Sequence, residues 1–466
     1  MRNEVNEYFR CPEGAAELHS PGRLSDDGGY FCFGRELVCY GQTAGGHRAR
    51  TAEEPLYNAF EDIRFLDSHV ELPFDPAEVA GNLRYERYIS AGQSAGAKRL
   101  RAGVRSAYYF MRPLLPVRVR KHLQKAHLEG WQDISFPRWP VDASVDTLME
   151  KLLALAIKSR GGESIPFIWF WPEGANGCAI MTHDVETQLG VDLCSKLMDM
   201  NEEFSVPSSF QVVPEERYPV PATYLEGIRR RGFEVNVHDL NHDGRLYWDF
   251  EEFKRRAQKI NRYGKEFGAA GFRAGVLYRN QDWYRMLDFE YDTSVPSVAH
   301  LDPQRGGCCT VMPYFVGDMV ELPLTATQDY SLFHILNDYS TALWEQQFKI
   351  ILAKHGLINV IVHPDYINGP REEAVYRDLL QLYCRVRKEE NVWIALPKEV
   401  NRWWRQRSRM KLVAENGQWQ IEGAGKERAR IALASLDGDR VSYRVLHPSE
   451  EIAASSFATS NAVEPA

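Results

Sequence analysis

The hydrophobic rhythm of the chain changes twice. Up to about residue 165, apolar positions come in short, irregular groups. Tyr30-Phe31-Cys32-Phe33 and Glu36-Leu37-Val38-Cys39-Tyr40, split at Gly34-Arg35, predict a hairpin. Residues 42–55, rich in Gly and charge, predict loop. Between 166 and 405, short β-rich runs alternate with amphipathic stretches. The runs fall at 179–182, 209–213, 233–237, 271–273, 320–324, 358–362 and 392–396, and helical patterns at 250–267, 341–354 and 372–388. Such alternation predicts a parallel sheet, and its unequal spacing favours a barrel over a doubly wound sheet. No G-x-G-x-x-G turn follows these strands, so no dinucleotide site is expected. Beyond Trp403-Trp404, strand-like runs at 418–421, 430–433 and 441–445, with Asp437-Gly438 as a turn, predict short β structure. The expected class is α/β. An N-terminal α+β accessory region (1–165) precedes a distorted (β/α) barrel of about seven strands (166–405) and a small β appendage with a disordered tail (406–466).

Composition narrows the partners. A net charge of −8 argues against a dedicated nucleic-acid binder. The first residues, Met1 to Glu7, are polar, without the apolar stretch of a secretory signal. No apolar run is long enough to span a bilayer, so a cytoplasmic location is expected. The eight cysteines form no C-x-x-C pair and read as free, buried thiols. In 108–125, Tyr108, Tyr109 and Phe110 precede Arg118, Arg120, Lys121 and Lys125. That pattern fits either a packed helix with a solvated basic face or a peripheral contact with the inner face of an anionic membrane. Residues 304–315, rich in Gly, Cys and aromatics, read as either a substrate wall or a turn with buried cysteines.

Parallel α/β sheets gather their chemistry at the carboxyl ends of the strands. Four polar clusters stand at such ends: Thr182-His183-Asp184-Val185-Glu186, His238-Asp239-Leu240-Asn241-His242, Arg273-Ala274-Gly275 and His363-Pro364-Asp365. Each alone has a structural explanation. His238 and His242 can aim both rings at one point, on a helical turn or across a tight loop that folds back. Two imidazoles and a carboxylate are the ligand set of a catalytic zinc with an open position. Residues i and i+2 of an extended segment share a face, so Asp184 and Glu186 could both reach one site. Trp248, Trp283 and Tyr278 lie near these clusters and read as either packing residues or a sugar-stacking platform.

In order and content the clusters resemble the motifs of the polysaccharide deacetylase family, also called NodB-homology or carbohydrate esterase family 4. Thr182-His183-Asp184 is similar to its T-F-D-D motif, and His238 to His242 to H-(S/T)-x-x-H. Arg273-Ala274-Gly275 is similar to R-x-P, and Ile361-Val362-His363 to L-x-H. The resemblance covers roughly 170–400. It departs in having Asp184-Val185-Glu186 for the adjacent acids, Asp239 for Ser/Thr and Gly275 for Pro. The family's Asp before Trp has no clean match.

The resemblance implies a distorted barrel and a metal-dependent hydrolase that removes an N-acetyl group from a sugar. With no secretory signal, the expected substrate is a precursor in exopolysaccharide or lipopolysaccharide synthesis. It implies one divalent ion, Zn2+ by ligand type, held by His238, His242 and Glu186. Asp184 would be the base, although the two acids could exchange roles. Arg273 would hold Asp184 ionised and His363 would protonate the leaving nitrogen, with Asp292 as its partner. Backbone N–H groups near Tyr314 would help bind the oxyanion. Two other readings stand beside this one: a C–N hydrolase of a small non-sugar amide, and a non-catalytic glycan-binding protein of the same fold.

Overall fold

The computed structural model describes residues 4–20, 22–46, 49–66, 69–90, 126 and 128–450. The basic segment 108–125 and the expected disordered tail beyond 450 lie outside them. The chain divides into two units. One comprises residues 1–83, 144–175 and 402–466, the other 84–143 and 176–401.

The second unit is built on strand β1 (Gly177–Val185), whose nine residues are all buried. A continuous buried run is what a parallel strand covered on both faces requires. Next come α1 (Gln188–Glu203), β2 (Ser208–Val212), α2 (Ala222–Arg230), β3 (Glu234–His238), α3 (Phe250–Phe267), β4 (Gly271–Arg273), β5 (Tyr291–Asp292), β6 (Tyr314–Val316), β7 (Met319–Glu321), α4 (Ala342–Leu352), β8 (Leu357–Ile361), α5 (Pro370–Glu389) and β9 (Val392–Ile394). They form one nine-stranded sheet, order β6-β7-β5-β4-β3-β2-β1-β8, with β9 also on β1. All pairs are parallel except β6 with β7.

The sheet curls into the expected distorted barrel. Between β7 and β8 the ladder is replaced by a seam. Ala326 N donates to Asn359 O, Thr325 Oγ1 donates to Leu357 O, and Asn359 Nδ2 donates to Leu322 O. About seven strands were expected, and the two additional ones have identifiable causes. β5 is two residues long, too short to show an alternation. β6 is the antiparallel arm of a hairpin that turns at Gly317.

The helices seal the outer face. α3 is capped by Asp249, whose side chain accepts from Glu252 N, and ends at Gly268 in the left-handed region (φ 54°). Its Phe253, Ala257, Ile260 and Phe267 are buried together with Phe210, Val235, Val237 and Phe272. α4 and α5 contribute Trp344, Phe348, Leu379 and Tyr383 to a second core over β1 and β8. The inner face is polar by contrast. Asn236 Nδ2 donates to the Tyr291 hydroxyl at 2.6 Å, and Asn236 Oδ1 accepts from Gly271 N at 2.8 Å. The Tyr291 ring lies over the Gly271 Cα, where a Cβ would overlap it, so only glycine fits there.

The first unit joins both ends of the chain. Strand Ile165–Ile168 pairs antiparallel with Ile431–Asp437, which pairs with Arg440–Val445. The hairpin expected near residue 34 is present as Gly29–Cys32 against Val38–Gly41.

Candidate active site

Thr182 and Asp184 project from the carboxyl end of β1 toward the inside of the curl. Glu186 continues that series just beyond. His183 points the other way, into the helix layer. Its Nδ1 lies 3.1 Å from Val362 O and its Nε2 3.0 Å from Asn201 Nδ2. Burial pushes its pKa down to about 4, so this histidine is a neutral core residue.

Arg273, the last residue of β4, crosses the interior fully buried. Its Nη1 donates to Asp184 Oδ1 at 2.5 Å and to Thr182 Oγ1 at 3.0 Å, and its Nε to Thr293 O at 3.0 Å. Burial pushes the Asp184 carboxyl up, but the Arg273 guanidinium, aided by His238 and His363, outweighs it and holds the group below the usual carboxylate value.

His238 ends β3 in register with Arg273. Its Nδ1 lies 3.2 Å from Arg273 O. A carbonyl can only accept, so this contact places the proton on Nδ1 and leaves the Nε2 lone pair free. The chain then folds back through Asp239 and His242, both left-handed (φ 56° and 53°). The histidine pair is thus made by a tight loop, with ring centroids 4.9 Å apart. Arg217 ties the loop down, donating from Nη2 to His242 O at 2.6 Å and from Nε to Asn241 O at 3.1 Å.

Glu186 Oε1 stands where these groups converge. It is 2.9 Å from His242 Nε2, 3.6 Å from His238 Nε2 and 3.4 Å from His363 Nε2. Burial raises the Glu186 carboxyl, yet His242, with His238 and His363, carries it well below the ordinary value. Both Nε2 atoms of the pair are buried and lack a directed hydrogen bond. Donors around a tetrahedral ion at ~2.1 Å sit about 3.4 Å apart. The observed separations bracket that value, so two imidazoles and a carboxylate fit a divalent ion. Among the described residues a second group of possible ligands, Asp184, Glu186 and His363, shares Glu186 with the first.

His363 lies two residues past β8. Val362 N still donates to Thr182 O, so strand geometry continues and brings His363 onto the inner face. Its carboxylate partner is Asp329, which accepts from His363 N and lies against Nδ1, both at 2.7 Å. Burial pushes the His363 ring down, but Asp329 and then Glu186 raise it well above its ordinary value.

Asp292, expected beside His363, is elsewhere. It accepts from Ser294 N and Ser294 Oγ and is the register partner of Glu321. It shares a side of the sheet with Phe272, its partner on β4, and so faces the helices. Tyr314 also packs into the helix-facing core, its hydroxyl donating to Gln281 Oε1. Residues 304–315 form a packed turn with Cys308 and Cys309 fully buried. Trp283 packs on Tyr247, Phe250 and Phe253. The aromatic surface beside the site consists instead of Tyr330, His334 and Tyr366, partly exposed rings 5.1–5.8 Å apart. Tyr366 lies 4.8 Å from the His363 ring.

Two departures from the motif pattern prove to be one. A Cβ at Gly275 would overlap Asp239 Oδ2 and approach His242 Cδ2 to 2.9 Å. The Asp239 carboxyl therefore takes the room that a side chain at 275 would need.

No protein-family model and no curated protein matches the chain. Solved structures similar to it are chiefly polysaccharide deacetylases. One, from Mycobacterium smegmatis, is 20% identical, with a TM-score of 0.41 over 51% of this chain and 93% of that one. Another, from Pseudomonas aeruginosa PAO1, is 14% identical, with a TM-score of 0.38 over 50% and 92%. Puue allantoinase is 13% identical, with a TM-score of 0.40 over 50% and 92%. Among the described residues no helix is long and apolar enough to cross a membrane.

Proposed function

We propose that this protein is a metal-dependent hydrolase that removes an acyl group from the nitrogen of an amino sugar. The observation that carries this reading is convergence. Asp184 with Arg273, the triad Glu186, His238 and His242, and His363 with Asp329 all meet around one carboxylate oxygen. Glu186, His238 and His242 would hold the ion, which when bound polarises the amide carbonyl and acidifies water.

The protein's own groups supply the proton transfers. Asp184, kept ionised by Arg273, takes a proton from the attacking water. A C–O bond forms at the carbonyl carbon and the C–N bond breaks. His363, kept protonated by Asp329, delivers its proton to the departing nitrogen. The products are a carboxylate and an amine. Tyr330, His334 and Tyr366 beside His363 offer ring faces for the sugar. A nucleotide- or lipid-linked glycan precursor inside the cell is the substrate this reading favours.

The test is direct. Purified protein should carry about one divalent ion per chain, with zinc expected, and lose it when His238 and His242 become Ala. Acid release from N-acylated amino sugars should vanish with Asp184→Asn while the circular dichroism spectrum is unchanged. Metal binding with no acid release would favour a glycan-binding protein or a hydrolase of a non-sugar amide.

A further inference from the structure

A cavity of about 390 Å3, its open mouth included, adjoins the layer of His363 and Asp329. Its apolar wall is Leu277, Leu324 and Ile361, which form one buried cluster. Ile361 is the register partner of Thr182, whose hydroxyl accepts from Arg273, so this wall lies one residue layer below the reacting groups. Gln328 and Ser331, which bracket Asp329, line the same space.

Its polar groups are selective. No Lys, Arg or His lines the cavity, so nothing there would neutralise a carboxylate or phosphate. Most of the lining polar groups are already used. Thr325 Oγ1 donates to Leu357 O, Gln347 Nε2 donates to Thr327 Oγ1, and Gln328 Nε2 donates to Asp302 Oδ1. Two are not. The hydroxyls of Ser297 and Ser331, both residues 1% exposed, have no hydrogen-bond partner among the described residues. A buried hydroxyl without a partner is costly, and two on one cavity wall mark where a ligand oxygen belongs.

We propose that this cavity receives the acyl group of the substrate, and that the acyl group is a short chain bearing a hydroxyl rather than a bare acetyl. The inference rests on the hydrolase reading above. The carbonyl would lie in the His363 layer, the aliphatic carbons against Leu277, Leu324 and Ile361, and the hydroxyl on Ser297 and Ser331. A site built to hydrogen-bond a hydroxyl rejects the analogue lacking it more strongly than a methylene pocket discriminates chain length.

The test uses fragments, so that it does not depend on the identity of the sugar. Binding of acetamide, butyramide and 3-hydroxybutyramide to the zinc-loaded full chain is measured by NMR titration. 3-Hydroxybutyramide should bind about tenfold tighter than butyramide, as two neutral hydrogen bonds allow. Ser297→Ala and Ser331→Ala should each shrink that ratio about threefold or more. Because the ratio is taken on one preparation, a partly unfolded variant does not distort it. Equal binding of the two butyramides, or a ratio untouched by both variants, overturns the proposal. The hydrolase reading is scored separately, by acid release from N-acetyl and N-3-hydroxybutanoyl glucosamine. Faster release of the hydroxybutanoyl group supports the proposal, and faster release of acetate overturns it. If neither acid is released while the fragment preference persists, the hydrolase reading fails and with it the acyl assignment.

Discussion

Two pairs of carboxylates end strands of the same sheet, and their fates are opposite. Asp184 and Glu186 face the inside of the curl, where Arg273, His238, His242 and His363 surround them and keep both ionised. Asp292 and Glu321 are register partners on β5 and β7 and face the helices. Burial raises the Asp292 carboxyl, and burial together with the Asp292 charge drives Glu321 well above its ordinary value. The second pair keeps a proton between its members. A carboxylate at a strand end becomes a base only when its own face of the sheet supplies the cation that holds it ionised.

That contrast is open to direct attack. The largest effect is expected from the acids themselves. Asp184→Asn should lower kcat/KM by about 10³-fold, the scale of a general base. Asp292→Asn should change it less than about threefold. Similar losses in steady-state rates for both variants would erase the distinction.

Next comes the turn that completes the cationic side. Gly275→Ala should displace Asp239 and His242 and weaken metal affinity by about tenfold or more, as changes beside ligands do. Asp239→Ser in the same chain should restore part of it, read by competition with a zinc chelator. A third variant, Asp329→Asn, removes the charge that raises His363. The basic limb of the pH profile of kcat/KM should then move to lower pH, because the acid loses its proton earlier. An unmoved limb would assign the proton donor to another group.

The smallest effect is on stability. Glu321 has a folded-state pKa above its unfolded one. Its contribution to stability is therefore full in acid and drains away as pH rises through the folded value. Glu321→Gln should remove that dependence, a slope of at most about 1.4 kcal/mol per pH unit for one proton. Urea unfolding from pH 5 to 9 would measure it.

Much of this was legible in the chain because local rules carried it. The strand runs at 179–182, 233–237 and 358–362 lie in or against β1, β3 and β8, and the polar clusters stand at the ends of those strands. The grouping of Asp184, Glu186, His238, His242, Arg273 and His363 follows from strand-end position together with the family pattern. Asp329 did not show itself. It reaches His363 only because residues 322–326 run along β8 as a seam, a long-range arrangement without periodicity. Tyr330 also follows it where the expected pattern has Trp further on. Asp292 looked suitable because strand-end position alone does not say which face of a two-residue strand is turned inward. The Asp239–Gly275 exchange was invisible for a similar reason. The two residues are distant in sequence and meet only through the pairing of β3 with β4.

The seam between β7 and β8 also divides the machinery by heritability. Asp184 cannot move without re-registering a strand that pairs on both edges. Asp329 sits on an irregular stretch tied by the Thr325 and Asn359 side chains, and that stretch can be lengthened, shortened or exchanged while the ladder stays in place. Among proteins of this architecture, the base should stay at a fixed place in the strand framework. The carboxylate that orients the acid is free to arrive from different loops.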